Sequence, residues 1–379
     1  MRTLLVSHTS QLLAEGGHAR AEGLSKLPGL DLCVLIPDRW RHYGKWLRSA
    51  DARSYPFHVE IGDVAWPWAG PAQSYLHWYP RLAKLLADFR PDVVDIWEEP
   101  WSLVSAHACW EVGRHLPRTR IVSETEQNIS KTLPFPFETF RSYTLRNIDM
   151  AIGRSRDAVS VLRSKGFDGP TTVIPNGVDK TRFRPIDRQQ CRAKLQLSGF
   201  VVGYVGRFVD EKGIFDLLDA LCLCAVSVNL ALVGSGPLCE AIKKRSAELG
   251  LGARVRLLPP QSHDQLPEFM NAIDVLALPS RTTSRWKEQF GRVIIEAHAC
   301  ATPVIGSNSG AIPEVVGSGG LIFREGHPAD IADTINKLAV NSLRRSELGA
   351  AGRRQVDETY SWDRIAERIY DAYSHALGE

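Results

Sequence analysis

The stretch KEQFGRVIIEAHACATPVIGSNSGAIPEVV, Lys287 to Val316, decides how the chain reads. A polar opening bearing Glu288 leads through Phe290-Gly291 into a short apolar helix. That helix stops at Thr302-Pro303 and passes to a buried strand over Val304 to Gly306. The order places two carboxylates, Glu288 and Glu296, and one helix N-terminus around a single pocket. Free backbone N–H groups and the positive end of the helix dipole attract phosphate, while carboxylates accept hydrogen bonds from sugar hydroxyls. A ligand that carries both groups is a nucleotide sugar.

Outward from this element, short apolar runs alternate with helical patterns in both halves of the chain, the signature of parallel sheets covered by helices on both faces. In the second half the strands are Val201 to Val205, Asn229 to Val233, Val255 to Leu258, Val275 to Leu278 and Pro303 to Gly306, with a helix from Ile214 to Cys224. In the first half they are Thr3 to Ser7, Asp31 to Ile36, Val93 to Trp97, Arg120 to Ser123, Met150 to Gly153 and Thr172 to Ile174. Helices are expected near His18 to Lys26, Tyr79 to Asp88 and Trp101 to His115. Turn residues in Ile174-Pro175-Asn176-Gly177-Val178-Asp179 mark a hinge. The expected division is therefore 1–176, 177–355 and a terminal segment 356–379 that crosses back onto the first domain.

The bulk numbers agree with two domains. At 379 residues the chain exceeds one ordinary core. With 44% hydrophobic residues, 23% charged residues and a net charge of +3, it is a globular protein without the basic excess of a nucleic-acid binder. Seven cysteines without a C-x-x-C pair offer neither a disulfide framework nor a zinc site, so a reducing cytoplasm is expected. MRTLLVSHTS reads as a first strand, not as a signal peptide. No apolar run reaches the roughly 20 residues that span a bilayer, so any membrane contact, at the inner face, is peripheral.

Arg207 and Lys212 lie in GRFVDEKG, on the turn between the strand VVGYV and the next helix. That turn is at the carboxyl edge of the sheet, where ligands of such folds bind. A planar fork and a point charge suit a diphosphate. Alone, the pair reads equally well as two solvated cations; beside Glu288 and Glu296 the binding role is favoured.

Together, G-R-x4-K-G, E-x7-E within EQFGRVIIEAHACATPVIGS, and SGAIPE resemble the GT4-type retaining glycosyltransferases of GT-B fold. The resemblance covers the whole second domain. It implies two Rossmann-like domains facing each other across a deep cleft, with a C-terminal helix crossing back to the first. It implies that Arg207 and Lys212 bind the donor diphosphate, that Glu288 holds sugar hydroxyls, that the Phe290-Gly291-Arg292 backbone meets sugar and phosphate, and that Glu296 takes the ribose diol. It places Gly16 and Gly17, in Glu15-Gly16-Gly17-His18, near the donor diphosphate and acceptor. Where relatives carry His followed by Asp, this chain has Ser123-Glu124-Thr125-Glu126. Glu126 is the best match to that histidine, with Glu124 close behind; either would orient the transferred sugar or the acceptor hydroxyl. The chain also departs from the pattern at His298, where Met is usual, at Ala301, where Gly is usual, and at Pro259-Pro260, where a Gly is common.

Cations and aromatics alternate in a loop expected over Asp38 to Arg48, and Trp66-Pro67-Trp68 and Glu98-Glu99-Pro100-Trp101 add further edges. Aromatic faces stack on sugars, which makes Arg39, Trp40, Arg41, Glu98, Glu99, Glu124 and Asn128 the candidate acceptor face. Partly buried loop aromatics with solvated charges are the competing reading. The expected reaction moves a sugar from a nucleotide-diphosphate sugar, UDP before GDP, to a hydroxyl on a glycan, lipid-linked sugar or metabolite. The resemblance implies retention of anomeric configuration without a protein nucleophile. No cofactor is expected, and no metal, since the chain contains no Asp-x-Asp.

Four other readings compete with this one. A glycoside hydrolase holds its carboxylates roughly 5–9.5 Å apart, whereas eight helical positions span about 12 Å; side chains can lean together if Glu288 sits on a loop, so this lowers the reading without excluding it. An NAD-dependent oxidoreductase wants a G-x-G-x-x-G that Gly234-Ser235-Gly236-Pro237 does not complete. A sugar-nucleotide epimerase and a non-catalytic sugar-nucleotide binder stay open on sequence alone.

Overall fold

The computed structural model describes residues 1–8, 18–42, 45–49, 55–65 and 72–378. The chain divides into two compact units, Met1–Pro175 together with Trp362–Glu379, and Asn176–Ser361.

The first unit is built on a parallel sheet of β1 (Arg2–Val6), β2 (Asp31–Pro37), β5 (His58–Gly62), β6 (Val93–Ile96), β7 (Arg120–Thr125), β8 (Met150–Gly153) and β9 (Thr171–Val173), in the order β5-β2-β1-β6-β7-β8-β9. Its central strands are apolar runs because both faces are covered. Leu4, Val6, Val94 and Ile96 pack into one core with Val104, Ala108 and Val112 of the helix Leu103–His115. Leu5, Val34, Val122 and Ile152 pack into the other. Helix starts are fixed locally: Ser102 and Ser155 accept hydrogen bonds from the backbone N–H of Ser105 and Ala158.

The segment expected as a loop over Asp38 to Arg48 contains an antiparallel hairpin, β3 (Arg39–His42) with β4 (Lys45–Arg48). Its alternation supplies the physical reason: Arg39 and Arg41 are exposed while Trp40 between them is buried. β5 is an edge strand whose half-exposed residues give a weak pattern, and the sequence reading missed it.

The second unit repeats the plan with β10 (Val201–Val205), β11 (Asn229–Val233), β12 (Val255–Leu258), β13 (Val275–Leu278), β14 (Val304–Ser307) and β15 (Gly320–Phe323), all parallel, in the order β12-β11-β10-β13-β14-β15. In each sheet the strand order reverses direction once, between β1 and β6 and between β10 and β13. The carboxyl side of that reversal is where open α/β sheets hold ligands.

The helical pattern over Ser342 to Leu377 is interrupted. A helix Ser342–Gln355 is followed by one wide turn, Val356–Tyr360, and by the extended residue Ser361, before the helix Trp362–Leu377 begins. This last helix belongs to the first unit. Ile365, Ala366, Ile369, Ala372 and Tyr373 form one stripe at helical spacing, buried against Leu5, Leu24 and Val34. Among the described residues no helix is long and apolar enough to cross a membrane.

Candidate active site

In the second unit the three sequence motifs meet at the strand-order reversal. Gly213, at φ 65°, ends the Arg207–Lys212 turn, and a Cβ there would collide with the Pro279 carbonyl just after β13. Gly310, at φ 51°, lies so close to the Glu288 backbone that only glycine fits, and Ala311 N–H donates to the Glu288 carbonyl at 3.2 Å. Glycine therefore brings the GRFVDEKG turn, the Glu288 loop and SGAIPE into one place.

Lys212 Nζ donates to Glu288 Oε2 at 2.6 Å, and Ser280 Oγ donates to the same oxygen at 2.9 Å. The two side chains are only 15% and 10% exposed. Trp286 covers the pair, its ring centroid 4.7 Å from Lys212 Nζ. Arg207 is exposed, with Glu211 at 3.8 Å. Burial pushes the Tyr204 phenol well above its ordinary range, with Glu288 adding to the shift and Arg207 opposing it, so both charges act on one hydroxyl.

The helix Arg292–Ala299 starts at Gly291, which at φ 82° turns the chain in the left-handed conformation, and no side chain caps this end. Its uncapped terminus follows directly on the Glu288 loop, with Phe290 buried beneath and Arg292 exposed. Glu288 lies on the loop and Glu296 on the helix, so they are not a facing helical pair. Glu296 is buried, with His263 Nε2 at 3.9 Å. His298 is fully buried against Gly319 and Gly352, a packing residue of this helix. Ala301 turns the chain at φ 56°, the conformation glycine would adopt freely.

In the first unit, Gly16 and Gly17 lie outside the described residues, as do Glu15 and Trp66 to Trp68. Glu124 is buried between Arg20 and Arg154, and both guanidinium groups lie over Trp97, at 4.6 and 5.4 Å. Arg20 also pairs with Asp95, which accepts a hydrogen bond from Tyr373 of the last helix. Burial disfavours the Glu124 carboxylate, yet Arg154 and Arg20 hold its pKa below the usual value. Glu126 is 44% exposed, with Arg154 Nε at 3.9 Å. Its backbone N–H donates to Glu99 Oε1 at 2.8 Å, and Thr125 Oγ1 donates to Glu99 Oε2 at 2.6 Å. Burial pushes Glu99 up to about 7. Glu98 is buried; burial opposes its ionisation, but His8 holds its pKa below the usual value. Asn128 and Trp40 are buried, while Arg39 and Arg41 are exposed.

The structure thus joins Lys212 to Glu288 and puts Glu124 and Glu126 on one arginine. It adds Ser280, Trp286 and His263, which sequence reasoning missed. Only Trp286 left a signal, an aromatic two positions before Glu288 in a polar run.

Residues 187–355 match the family described as Glycosyl transferases group 1, and residues 37–182 match Glycosyltransferase Family 4. A D-inositol 3-phosphate glycosyltransferase of Nocardia farcinica is 30% identical over 299 residues, 73% of this chain and 59% of that protein. One of Rhodococcus opacus is 36% identical over 219 residues, 54% of this chain and 48% of that protein. The chain spans about half the length of these relatives. The fold is shared with sucrose-phosphate synthase of Thermosynechococcus elongatus, at TM-score 0.73 and 22% identity over 100% of this chain and 99% of that one. It is shared also with Anabaena HepE in complex with UDP, at TM-score 0.76 and 21% identity over 99% and 100%. Two parallel-sheet units of this kind form the GT-B fold, and the chain belongs to the family 4 glycosyltransferases.

Proposed function

We propose that the protein transfers a sugar from a nucleotide-diphosphate sugar to a hydroxyl acceptor with retention of anomeric configuration. The observation that carries this reading is the part-buried Lys212–Glu288 pair beside the uncapped N-terminus of the helix Arg292–Ala299. Cleavage of a sugar–phosphate bond builds negative charge on the departing diphosphate and positive charge at the anomeric carbon. Lys212, Arg207 and the helix terminus at Gly291 answer the first as charges and dipoles already in place. Glu288 holds hydroxyls of the sugar, fixed in turn by Ser280. Glu296, one turn further along the helix, takes the ribose diol, and the Phe290-Gly291-Arg292 backbone lies against sugar and phosphate.

In this reading the acceptor hydroxyl attacks from the face the leaving group vacates, and a departing phosphate oxygen takes its proton. Glu126 orients the sugar or the acceptor. Gly16 and Gly17 approach the diphosphate, and the face that includes Arg39, Trp40, Arg41, Glu98, Glu99, Glu124 and Asn128 receives the acceptor. The transfer step uses no metal, because the cations of the chain neutralise the diphosphate. UDP is the favoured nucleotide, supported by the complex of the Anabaena neighbour with UDP. The acceptor is a glycan, a lipid-linked sugar or a hydroxylated metabolite. The protein works in the cytoplasm, and any contact with the inner face of the membrane is peripheral.

The test is nucleotide release from UDP-, GDP- and ADP-sugars with and without candidate acceptors. Transfer requires release that depends on acceptor; release without acceptor, or none with any donor, refutes it.

A further inference from the structure

His8, just past the carboxyl end of β1, and Glu98, just past that of β6, flank the strand-order reversal of the first unit. His8 Nδ1 lies 2.6 and 2.7 Å from the two Glu98 oxygens, and His8 backbone N–H donates to Oε1 at 2.6 Å. His77 arrives from the segment after the helix Gln73–Leu76, its Nε2 3.9 Å from Glu98 Oε1. One atom from each residue falls within 4.8 Å of the others, and among the described residues this group alone does so with three such side chains.

Two of the three side chains are closed off from water, and His8 is partly exposed. His77 is fully buried and Glu98 nearly so, and Trp40 of the hairpin stacks on His8 at 4.5 Å and meets His77 edge-on at 5.0 Å. The His77 tautomer is set by its backbone contact. Nδ1 lies 3.1 Å from the Gln73 carbonyl, which must accept, so Nδ1 carries the proton and Nε2 presents a lone pair. That Nε2 is buried without a hydrogen-bond partner, as is the Tyr79 hydroxyl. An imidazole whose outer nitrogen donates to a carbonyl, with its inner lone pair turned toward a carboxylate, is how metal-binding histidines are held.

We propose that His8, His77 and Glu98 bind one divalent transition-metal ion, with zinc the best fit to two imidazoles and a carboxylate. Ligand atoms about 2.0–2.1 Å from a tetrahedral zinc stand about 3.3 Å apart. Closing His77 and Glu98 from 3.9 Å and opening His8 and Glu98 from 2.6 Å each takes less than 1 Å of side-chain movement. Two neutral rings and one carboxylate leave a net positive charge and a fourth position for water. The ion would tie the ends of β1 and β6 to the segment at His77. It holds structure in the first unit, at the face proposed above to receive the acceptor.

The test uses the full chain, stripped with a chelator and titrated with zinc chloride by calorimetry. One equivalent should bind with Kd below about 1 µM. His77→Ala and Glu98→Gln should each weaken binding more than about tenfold, whereas His115→Ala, on the helix Leu103–His115, should not. Cobalt in place of zinc should give the intense visible absorption of a four- or five-coordinate ion. If His77→Ala does not fold, the wild-type cobalt spectrum and Glu98→Gln decide. No saturable binding, wild-type affinity in the folded variants, or a weak six-coordinate cobalt spectrum would overturn the proposal and leave His8–Glu98 as a simple hydrogen-bonded pair.

Discussion

Replacing Lys212 by alanine separates stability from chemistry. Lys212 Nζ and Glu288 Oε2 are 2.6 Å apart in a setting with little water. Deleting one partner of a buried pair costs about 3–5 kcal/mol, chiefly by stranding the other charge. With both side chains slightly exposed, and Ser280 still donating to Glu288, the lower end applies, about 3 kcal/mol. For a unit of this size that lowers the melting temperature by about 6–12 °C. Turnover should fall by about 10²–10³, the usual effect of removing one preorganised group from a developing oxyanion. Lys212→Ala with Glu288→Gln should recover most of the melting temperature, since no charge is stranded, yet recover no turnover. Calorimetric melting and acceptor-dependent nucleotide release read the two effects independently. Wild-type melting in Lys212→Ala would refute the ion-pair argument, and wild-type turnover would remove the diphosphate role.

Four further outcomes can be checked. Glu296→Ala should raise the Kd for UDP by about tenfold or more, the effect of losing hydrogen bonds to a charged group, with the fold intact; an unchanged calorimetric Kd rejects the ribose contact. Glu126→Gln should lower the rate of transfer while leaving nucleotide affinity as it is, and an unaltered rate would dismiss Glu126 as the stand-in for the family's histidine. His298 has its pKa lowered to about 4 by burial, from 6.5. A histidine depressed in this way is fully compatible with folding above 6.5 and loses stability as the pH falls toward 4, by about 3 kcal/mol in all. His298→Met should remove that part of the acid sensitivity, as denaturation at pH 7 and pH 4.5 will read; equal pH dependence in both proteins speaks against it. Ala301→Gly should stabilise the second unit by about 1 kcal/mol, because alanine at φ 56° is strained, and a lower urea midpoint would contradict that.

Much of this architecture could be read from single residues. Val201–Val205 and Val275–Leu278 emerged as strands because a parallel strand covered on both faces has nowhere to place polar side chains. Lys212 and Glu288 could be placed at one edge because a turn after β10 and a loop after β13 end at the same side of the sheet. Their contact could not be read, since it depends on Gly213 and Gly310 drawing two distant loops to within atomic reach. Ser280 and His263 were silent for the same reason: each is an ordinary polar residue until the fold sets a carboxylate beside it. The hairpin at Arg39–Arg48 was legible in principle from buried Trp40 between two arginines. Its density of positive charge masked the alternation.

The last helix, Trp362–Leu377, completes the core of the first unit and brings Tyr373 to Asp95 beside Arg20. During synthesis the opening 175 residues therefore emerge before part of the cover of their sheet, which arrives only with Trp362–Leu377. A chain that stops before Trp362 would injure the unit whose strands are made first. An expressible version of the first unit must carry its distant tail, whereas the second can be excised as a single uninterrupted fragment.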